Sequence, residues 1–317
     1  MVESQTGVVG TLSPEGSPGC GSRTGTDSKM EEAAEECAYA NSVNLYLSKI
    51  SSLFECPKKF FWEYVEGLTP IAEPDYLTFG AAIHEAIAFG GHPFDLEAAV
   101  SRLAIAKGLT EDHKVLGTFL LRVFKEKYDL LPIKEMLFQE IPLVHPLPGP
   151  FYKNWVVKPD RVVRYVNNEV WLLEYKTTSG YGAATASYYH NSMQTLSYFY
   201  ATQKQIPEAV GTLLIVMTKK GVSKKEEERV IIEPIILSES DKRKAEHFMQ
   251  YAHAYAELLW EKQIFFKFMT SCHKPFGGQC EFYPLCFAGE NKAYFEEVKK
   301  MVFRKRNPDD HLFNEEV

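Results

Sequence analysis

The chain has 317 residues, 45% hydrophobic and 13% aromatic, enough for a sizeable core in one elaborated domain or two small ones. A formal net charge of -7 argues at first against a polyanionic partner, because phosphate contacts need Lys and Arg. Residues 1–40 hold seven acids against Arg23 and Lys29, however, and residues 307–317 hold four acids against no base, so residues 41–306 carry +2. That body permits nucleic-acid binding without demonstrating it. A basic region followed by an apolar run is missing at the N-terminus and no stretch approaches bilayer-spanning length, so a cytosolic location without membrane attachment is expected.

The first 40 residues read as a disordered acidic tail, rich in Gly, Ser, Thr and Pro, with Cys20 and Cys37 as bystander thiols. From Leu45 the pattern turns helical, with Ser48 and Ser51 as candidate caps before the aromatic run Phe54, Phe60, Phe61, Trp62 and Tyr64. Phe79 to Phe89 predicts a helix carrying His84. Residues 95–130, within a helical insert spanning about 90–130, predict one or two amphipathic helices with Leu116, Phe119, Leu120, Val123 and Phe124 facing the core. Strands begin near Leu137, after Pro132, and continue past a Pro-broken loop at 142–150.

Trp155–Val166 and Val170–Lys176 predict a hairpin turning at Asn167-Asn168. A three-residue loop, Asn167 to Glu169, would set Val166 against Val170 and Asp160 against Lys176, with Glu174 diagonal on the same face. A two-residue loop would send Asp160 to the opposite face. Ala186 to Thr202 reads as one helix with Gln194 and Tyr198 on one face. Gly211–Thr218 is a buried strand, Val230–Leu237 an edge strand because of Pro234, and Asp241–Phe268 a long helix. A cysteine segment at 268–290 follows, then a C-terminal helix and acidic tail over 291–317. The order predicts an α/β (α+β) fold, a mixed sheet flanked by helices.

Lys158-Pro159-Asp160 and Glu174-Tyr175-Lys176 supply two carboxylates and an ammonium across that hairpin. Phosphodiester cleavage needs a nucleophilic water, neutralised phosphate charge and a stabilised leaving oxygen, and a hard cation on carboxylates can provide all three. Asp160 and Glu174 suit Mg²⁺ or Mn²⁺, and His84 biases the choice toward Mn²⁺. Lys176 would orient water or donate to a phosphoryl oxygen. Glu85 ranks second, since it points about 100° away from His84 around the helix.

Pro159-Asp160, Glu174-Tyr175-Lys176, the segment Gly80 to His84, and Gln194 to Tyr198 resemble, in order, the motifs of the PD-(D/E)XK nuclease superfamily, whose restriction-endonuclease-like sheet is thereby expected over residues 41–290. The His-bearing helix and the Gln–Tyr helix are similar to its RecB-like branch, which includes CRISPR-associated exonucleases and phage proteins. The resemblance implies DNA cleavage with His84, Asp160, Glu174 and the Tyr175 carbonyl as metal ligands and Lys176 as the catalytic lysine. Gln194 and Tyr198 would place the lysine or the DNA backbone. It further implies an exonuclease on single-stranded ends in recombination, repair or phage DNA processing. Unwinding would come from a helicase or recombination partner, since no Walker loop is present.

Cys272, Cys280 and Cys286 are separated by seven and five residues, and Cys56 stands far upstream. Without export such cysteines read as metal ligands or free thiols rather than disulfides. Relatives in this branch often hold a [4Fe-4S] cluster with one upstream and three C-terminal cysteines, and the arrangement is similar, although the seven-residue gap exceeds the two residues common in the family. Four thiolates also suit zinc. His273 more simply caps its loop.

Plainer readings exist for each feature. His84 alone is an ordinary helix residue, Glu174 and Lys176 a strand ion pair of little worth, Gln194 and Tyr198 helix surface, and the aromatic run core. Lys219, Lys220, Lys224 and Lys225, like Lys299, Lys300, Arg304, Lys305 and Arg306, are charge runs that solvent suffices to explain, with contact to DNA as the alternative, since the first run follows a central strand and so would border the cleft. A non-catalytic DNA-binding subunit, or a thiol or zinc protein of unrelated function, stays open against the nuclease.

Overall fold

A computed structural model describes residues 44–71, 75–180, 182–190, 192–219, 225–272, 279–289 and 291–305. The expected tails, Cys20, Cys37, Lys220, Lys224, His273 and Arg306 lie outside the described residues. The elements run β1 (Asn44–Tyr46), α1 (Leu47–Glu55), α2 (Pro57–Phe60), a π-helical turn (Phe61–Val65), β2 (Leu68–Pro70), α3 (Asp75–Gly90), α4 (Leu96–Ala104), α5 (Glu111–Tyr128), β3 (Ile133–Gln139), β4 (Leu143–Pro146), β5 (Asn154–Val157), β6 (Arg161–Tyr165) and β7 (Val170–Thr178). They continue with α6 (Gly182–His190), α7 (Met193–Gln205), β8 (Ala209–Thr218), β9 (Val230–Ile236), α8 (Glu239–Lys262), α9 (Tyr283–Ala288), α10 (Lys292–Val302) and β10 (Phe303–Lys305).

The central sheet has the order β3-β6-β7-β8-β9, with β7 and β8 parallel and the other pairs antiparallel. The mixed sheet flanked by helices is therefore present. Val170 to Tyr175 and Gly211 to Thr218 are buried, as expected for strands covered on both faces. Val162, Val170, Leu172, Leu214 and Val216 join one core with α1, α7 and α8. Val163, Trp171, Leu173, Tyr175, Ile215 and Met217 join another with α3 and α5. Pro234 sits in edge strand β9, where its missing N–H breaks no inner ladder.

Several expected boundaries shift. Trp155–Val166 is two strands in two sheets: β5 pairs with β1 and β4, and Lys158-Pro159 breaks the chain before β6. Ala186–Thr202 is also two helices, because α6 ends at His190 and Ser192 starts α7 by accepting from the Thr195 N–H. The first helix begins after Tyr46 without a side-chain cap, so Ser48 and Ser51 lie inside it. The long helix ends at Lys262, where Gln263 turns left-handed, rather than at Phe268. Its start is a capping box between Ser238 and Asp241. The insert is two helices, and α5 carries Glu111 and Asp112 in its first turn and Lys125 and Lys127 in its last, complementing the helix dipole.

A third, small core of Leu68, Cys280, Phe282, Leu285, Ala288, Val298 and Phe303 packs against Trp62 and Phe295. The antiparallel pairing of β10 with β2 fastens it. The end of the described chain thus packs against residues 62–70, and the run Phe54 to Tyr64 contributes to cores, as its plainer reading expects.

Candidate active site

The hairpin ladder runs from Arg161–Leu173 to Arg164–Val170. Its loop is Val166, Asn167 and Asn168: the Tyr165 N–H donates to the Glu169 carbonyl at 2.8 Å and Asn168 adopts φ 67°. The loop has three residues, as the same-face argument requires, but sits one residue earlier than expected. The two-residue slip in pairing preserves the face and changes the partner, so Asp160, one step before Arg161, stands opposite Glu174 instead of Lys176.

Four elements meet there. Asp160 accepts the Tyr175 N–H on Oδ2 at 2.6 Å, fastening the start of β6 to β7. Glu174 Oε1 accepts from Lys176 Nζ at 2.6 Å and from Gln194 Nε2 at 2.7 Å. His84 Nδ1 comes within 3.4 Å of Asp160 Oδ1 without hydrogen-bond geometry, leaving that nitrogen a buried atom with no hydrogen-bond partner. Helix α3 approaches closely because Gly80 lies against Thr177, whose hydroxyl would meet a Cβ there at 3.1 Å. His84 and Tyr175 meet edge to face, with centroids 6.0 Å apart.

Burial, and then the neighbouring Asp160, push the Glu174 carboxyl up to about 7, against Lys176 and His84. Burial works against the charge on Asp160 too, but the His84 imidazole, Lys176 and the Tyr175 N–H outweigh it and hold Asp160 below the usual range. For Lys176 burial is the largest influence and acts downward, yet Glu174 and Asp160 together hold the ammonium above the ordinary lysine range. Lys176 therefore stays charged. Tyr198 is half-buried near Glu174, and desolvation, then that carboxylate, raises its phenol.

His84, Asp160, Glu174, Lys176, Gln194 and Tyr198 are thus brought together. Glu85 is not: it is exposed and bonded to Arg102 of α4. The Glu174–Lys176 pair is a strand ion pair, but one largely shielded from solvent. Lys219 stacks on Phe79, with Nζ 5.0 Å from the ring centroid, and Lys299 pairs with Glu66 at 3.2 Å. Sequence reading missed Tyr189, whose ring centroid is 5.2 Å from Lys176 Nζ, and Arg161, the fully buried cation next to Asp160. A charged residue inside the apolar run Trp155–Val166 was the available signal for Arg161.

The four cysteines gather at one cavity, lined by Cys56, Cys272, Cys280 and Cys286 with Lys59, Lys267, Phe268, Ser271, Phe282 and Tyr283. All four are free thiols. The Phe268 N–H donates to Cys56 Sγ at 3.4 Å, the Cys280 N–H to the Cys272 carbonyl at 3.0 Å, and the Lys58 N–H to the Phe266 carbonyl at 3.0 Å, pinning the late segment to the early one. Lys59 bridges Glu55 and Glu281 at 2.8 and 2.9 Å. Burial pushes Cys280 up to about 11 and also raises Cys286. Among the described residues no three His, Cys, Asp or Glu side chains are arranged so as to hold a metal ion, at either place.

A family model for the PD-(D/E)XK nuclease superfamily matches residues 47–287. The chain belongs to that superfamily, which places it among the nucleases that hydrolyse phosphodiesters. No curated protein matches its sequence. Among solved structures it is similar to a "Putative exonuclease" from Eubacterium rectale, with 11% identity, TM-score 0.48 and coverage of 77% of this chain and 89% of that one. It is also similar to SSO0001, with 13% identity, TM-score 0.33 and coverage of 71% and 86%. No helix among the described residues is long and apolar enough to cross a membrane.

Proposed function

We propose that this chain is a Mg²⁺- or Mn²⁺-dependent deoxyribonuclease, acting as an exonuclease on single-stranded ends. The observation that carries the reading is the convergence of His84, Asp160, Glu174, Lys176 and Gln194 from four elements. Two carboxylates and an imidazole are the donor types that a divalent cation takes. Glu174 is buried and driven toward protonation, and Asp160, partly buried, stands opposite it. The imidazole Nδ1 beside them is buried without a hydrogen bond. Asp160, Glu174, His84 and the Tyr175 carbonyl would hold the ion. When bound, it supplies neutralisation of phosphate charge and a lowered pKa for water.

The chain's own groups do the rest. Lys176, kept cationic by the two carboxylates, orients the attacking water or donates to a phosphoryl oxygen. Gln194 shares Glu174 Oε1 with that lysine and limits where its ammonium can go. Tyr198, half-buried near Glu174, completes the wall on the α7 side. The preference for single-stranded ends, and a role in recombination, repair or phage DNA processing beside a helicase, follow from the resemblance of the His84 and Gln194–Tyr198 helices to the RecB-like branch.

The same reading gives Cys56, Cys272, Cys280 and Cys286 a [4Fe-4S] cluster, with zinc as rival. Four free thiols around one cavity, with a backbone N–H already directed at Cys56 Sγ, suit a thiolate-held group. Visible charge-transfer absorbance after anaerobic purification selects iron, and its absence with bound zinc selects the rival.

The test is Mn²⁺-dependent digestion of end-labelled single- and double-stranded DNA by wild type, Lys176→Ala and Asp160→Ala. Wild-type cleavage reduced on the order of 10²–10³-fold in both variants is expected. A folded wild type that cleaves neither substrate with Mg²⁺ or Mn²⁺ would instead indicate a non-catalytic DNA-binding subunit.

A further inference from the structure

Arg161 is fully buried directly behind the carboxylate pair. Its hydrogen bonds go to neutral acceptors: Gln139 Oε1 at 2.9 Å, the Tyr128 hydroxyl at 3.3 Å and the Ile87 carbonyl. A buried cation satisfied this way is costly to keep, and its location shows what it secures. Ile87 and Ala88 lie in the last turn of α3, where carbonyls outnumber the intrahelical donors and cations are favoured, and the Ala88 carbonyl also accepts the Gly91 N–H at 3.2 Å. Arg161 takes the Ile87 carbonyl, and Gln139 Nε2 takes the Ala88 carbonyl at 2.9 Å. Because Gln139 also accepts from Arg161, the side chains from β3 and β6 form one linked cap.

Ile87 and Ala88 follow His84 by three and four residues, so the cap holds the helix face that carries the imidazole. A second route runs through Tyr175. The Arg161 guanidinium lies 5.9 Å from that ring's centroid, and the ring meets His84 edge to face. Consecutive strand residues point to opposite sides. Hence the step that turns Asp160 toward the site turns Arg161 toward α3.

We propose that Arg161, with Gln139, is a positioning residue that sets His84 against Asp160 and so fixes affinity for the divalent cation. The inference rests on the assignment of His84 and Asp160 as metal ligands. It predicts that the cap acts through His84 and has no influence once the imidazole is gone.

The test is Mn²⁺ binding, followed by electron paramagnetic resonance of the free ion, in the full chain. The variants are Arg161→Lys, which keeps the charge but not the fork, and Gln139→Glu, which keeps the acceptor for Arg161 but loses the donor to Ala88. Each is made alone and with His84→Ala, with folding checked by circular dichroism. Each single variant is expected to weaken Mn²⁺ binding about tenfold or more, as loss of a group supporting a ligand does, and to add nothing when His84 is absent. Wild-type affinity in both variants, or the same loss with and without His84, overturns the proposal. Should Arg161→Lys not fold, Gln139→Glu decides alone. A wild type that binds no Mn²⁺ overturns the ligand assignment along with it, whereas binding that falls in His84→Ala but not in the cap variants overturns the cap alone.

Discussion

The carboxylate site and the cysteine cavity are built in opposite ways. At the first, the charged groups already engage one another: Asp160 is tied to a backbone N–H, and Glu174 holds Lys176 and Gln194 on one oxygen. At the second, four thiols surround a cavity as unbridged groups, and the elements that carry them are held by backbone contacts and by Lys59 between Glu55 and Glu281. A site fixed by sheet register should keep its shape when its ion leaves. A site whose ligands come from distant segments should depend on what those ligands hold, because a group joining residue 56 to residue 286 closes the whole loop between them.

The largest expected effect breaks that comparison at the cavity. Cys280→Ser should lose most of the visible absorbance or bound zinc and lower the melting temperature by several degrees, about what 1–2 kcal/mol does in a domain of this size. EDTA, by contrast, should abolish cleavage reversibly and leave the far-ultraviolet spectrum unchanged. If Cys280→Ser melts like wild type, the cavity holds nothing structural.

A smaller effect sharpens the carboxylate side. Gln194→Ala should reduce kcat about tenfold by freeing Lys176, the size typical of a support beside a ligand. Glu85→Ala, altering an exposed pair with Arg102, should leave cleavage within a factor of two, in line with the small worth of exposed ion pairs. Equal losses in the two variants would remove any special role for Gln194.

The smallest effect is a pH dependence. Glu174 is raised to about 7 in the folded chain from 4.5. The native state therefore binds more protons than the unfolded one between those values, and this group's contribution to stability falls as pH rises through that window. Asp160, which is lowered, works in the opposite sense and loses its contribution only as pH falls through the acid range. A cation on the pair removes the Glu174 penalty, so the rise in melting temperature on adding Mn²⁺ should be greater at pH 8 than at pH 6. A rise that is the same at both pH values would place the ion elsewhere.

Much of the site was legible because its chemistry is local. Glu174 and Lys176 are two apart on a strand and share a face, and Gln194 and Tyr198 are four apart on a helix. The parity argument at the hairpin put Asp160 on the right face. It gave the wrong partner because nothing in Asn167-Asn168-Glu169 distinguishes a three-residue loop starting at Val166 from one starting at Asn167. The choice of Asn168 for the left-handed position settled it. The division of Trp155–Val166 between two sheets was also hidden, since apolar alternation continues across Pro159 and only strand partners tell one sheet from another.

The sequence by itself determined which residue types were available and in what order: two acids, a lysine, a histidine, a Gln–Tyr pair and four cysteines outside the first 40 residues. Periodicity also placed most of them on helices or strands. Tertiary structure alone decided that Glu85 turns away to Arg102, that Glu174 rather than Lys176 faces Asp160, and that Arg161 spans from β6 to the end of α3. The physical reason is range. Side-chain period is fixed by bond geometry within a few residues, whereas burial, charge coupling and the capping of one element by another arise only when segments far apart in the chain are packed together.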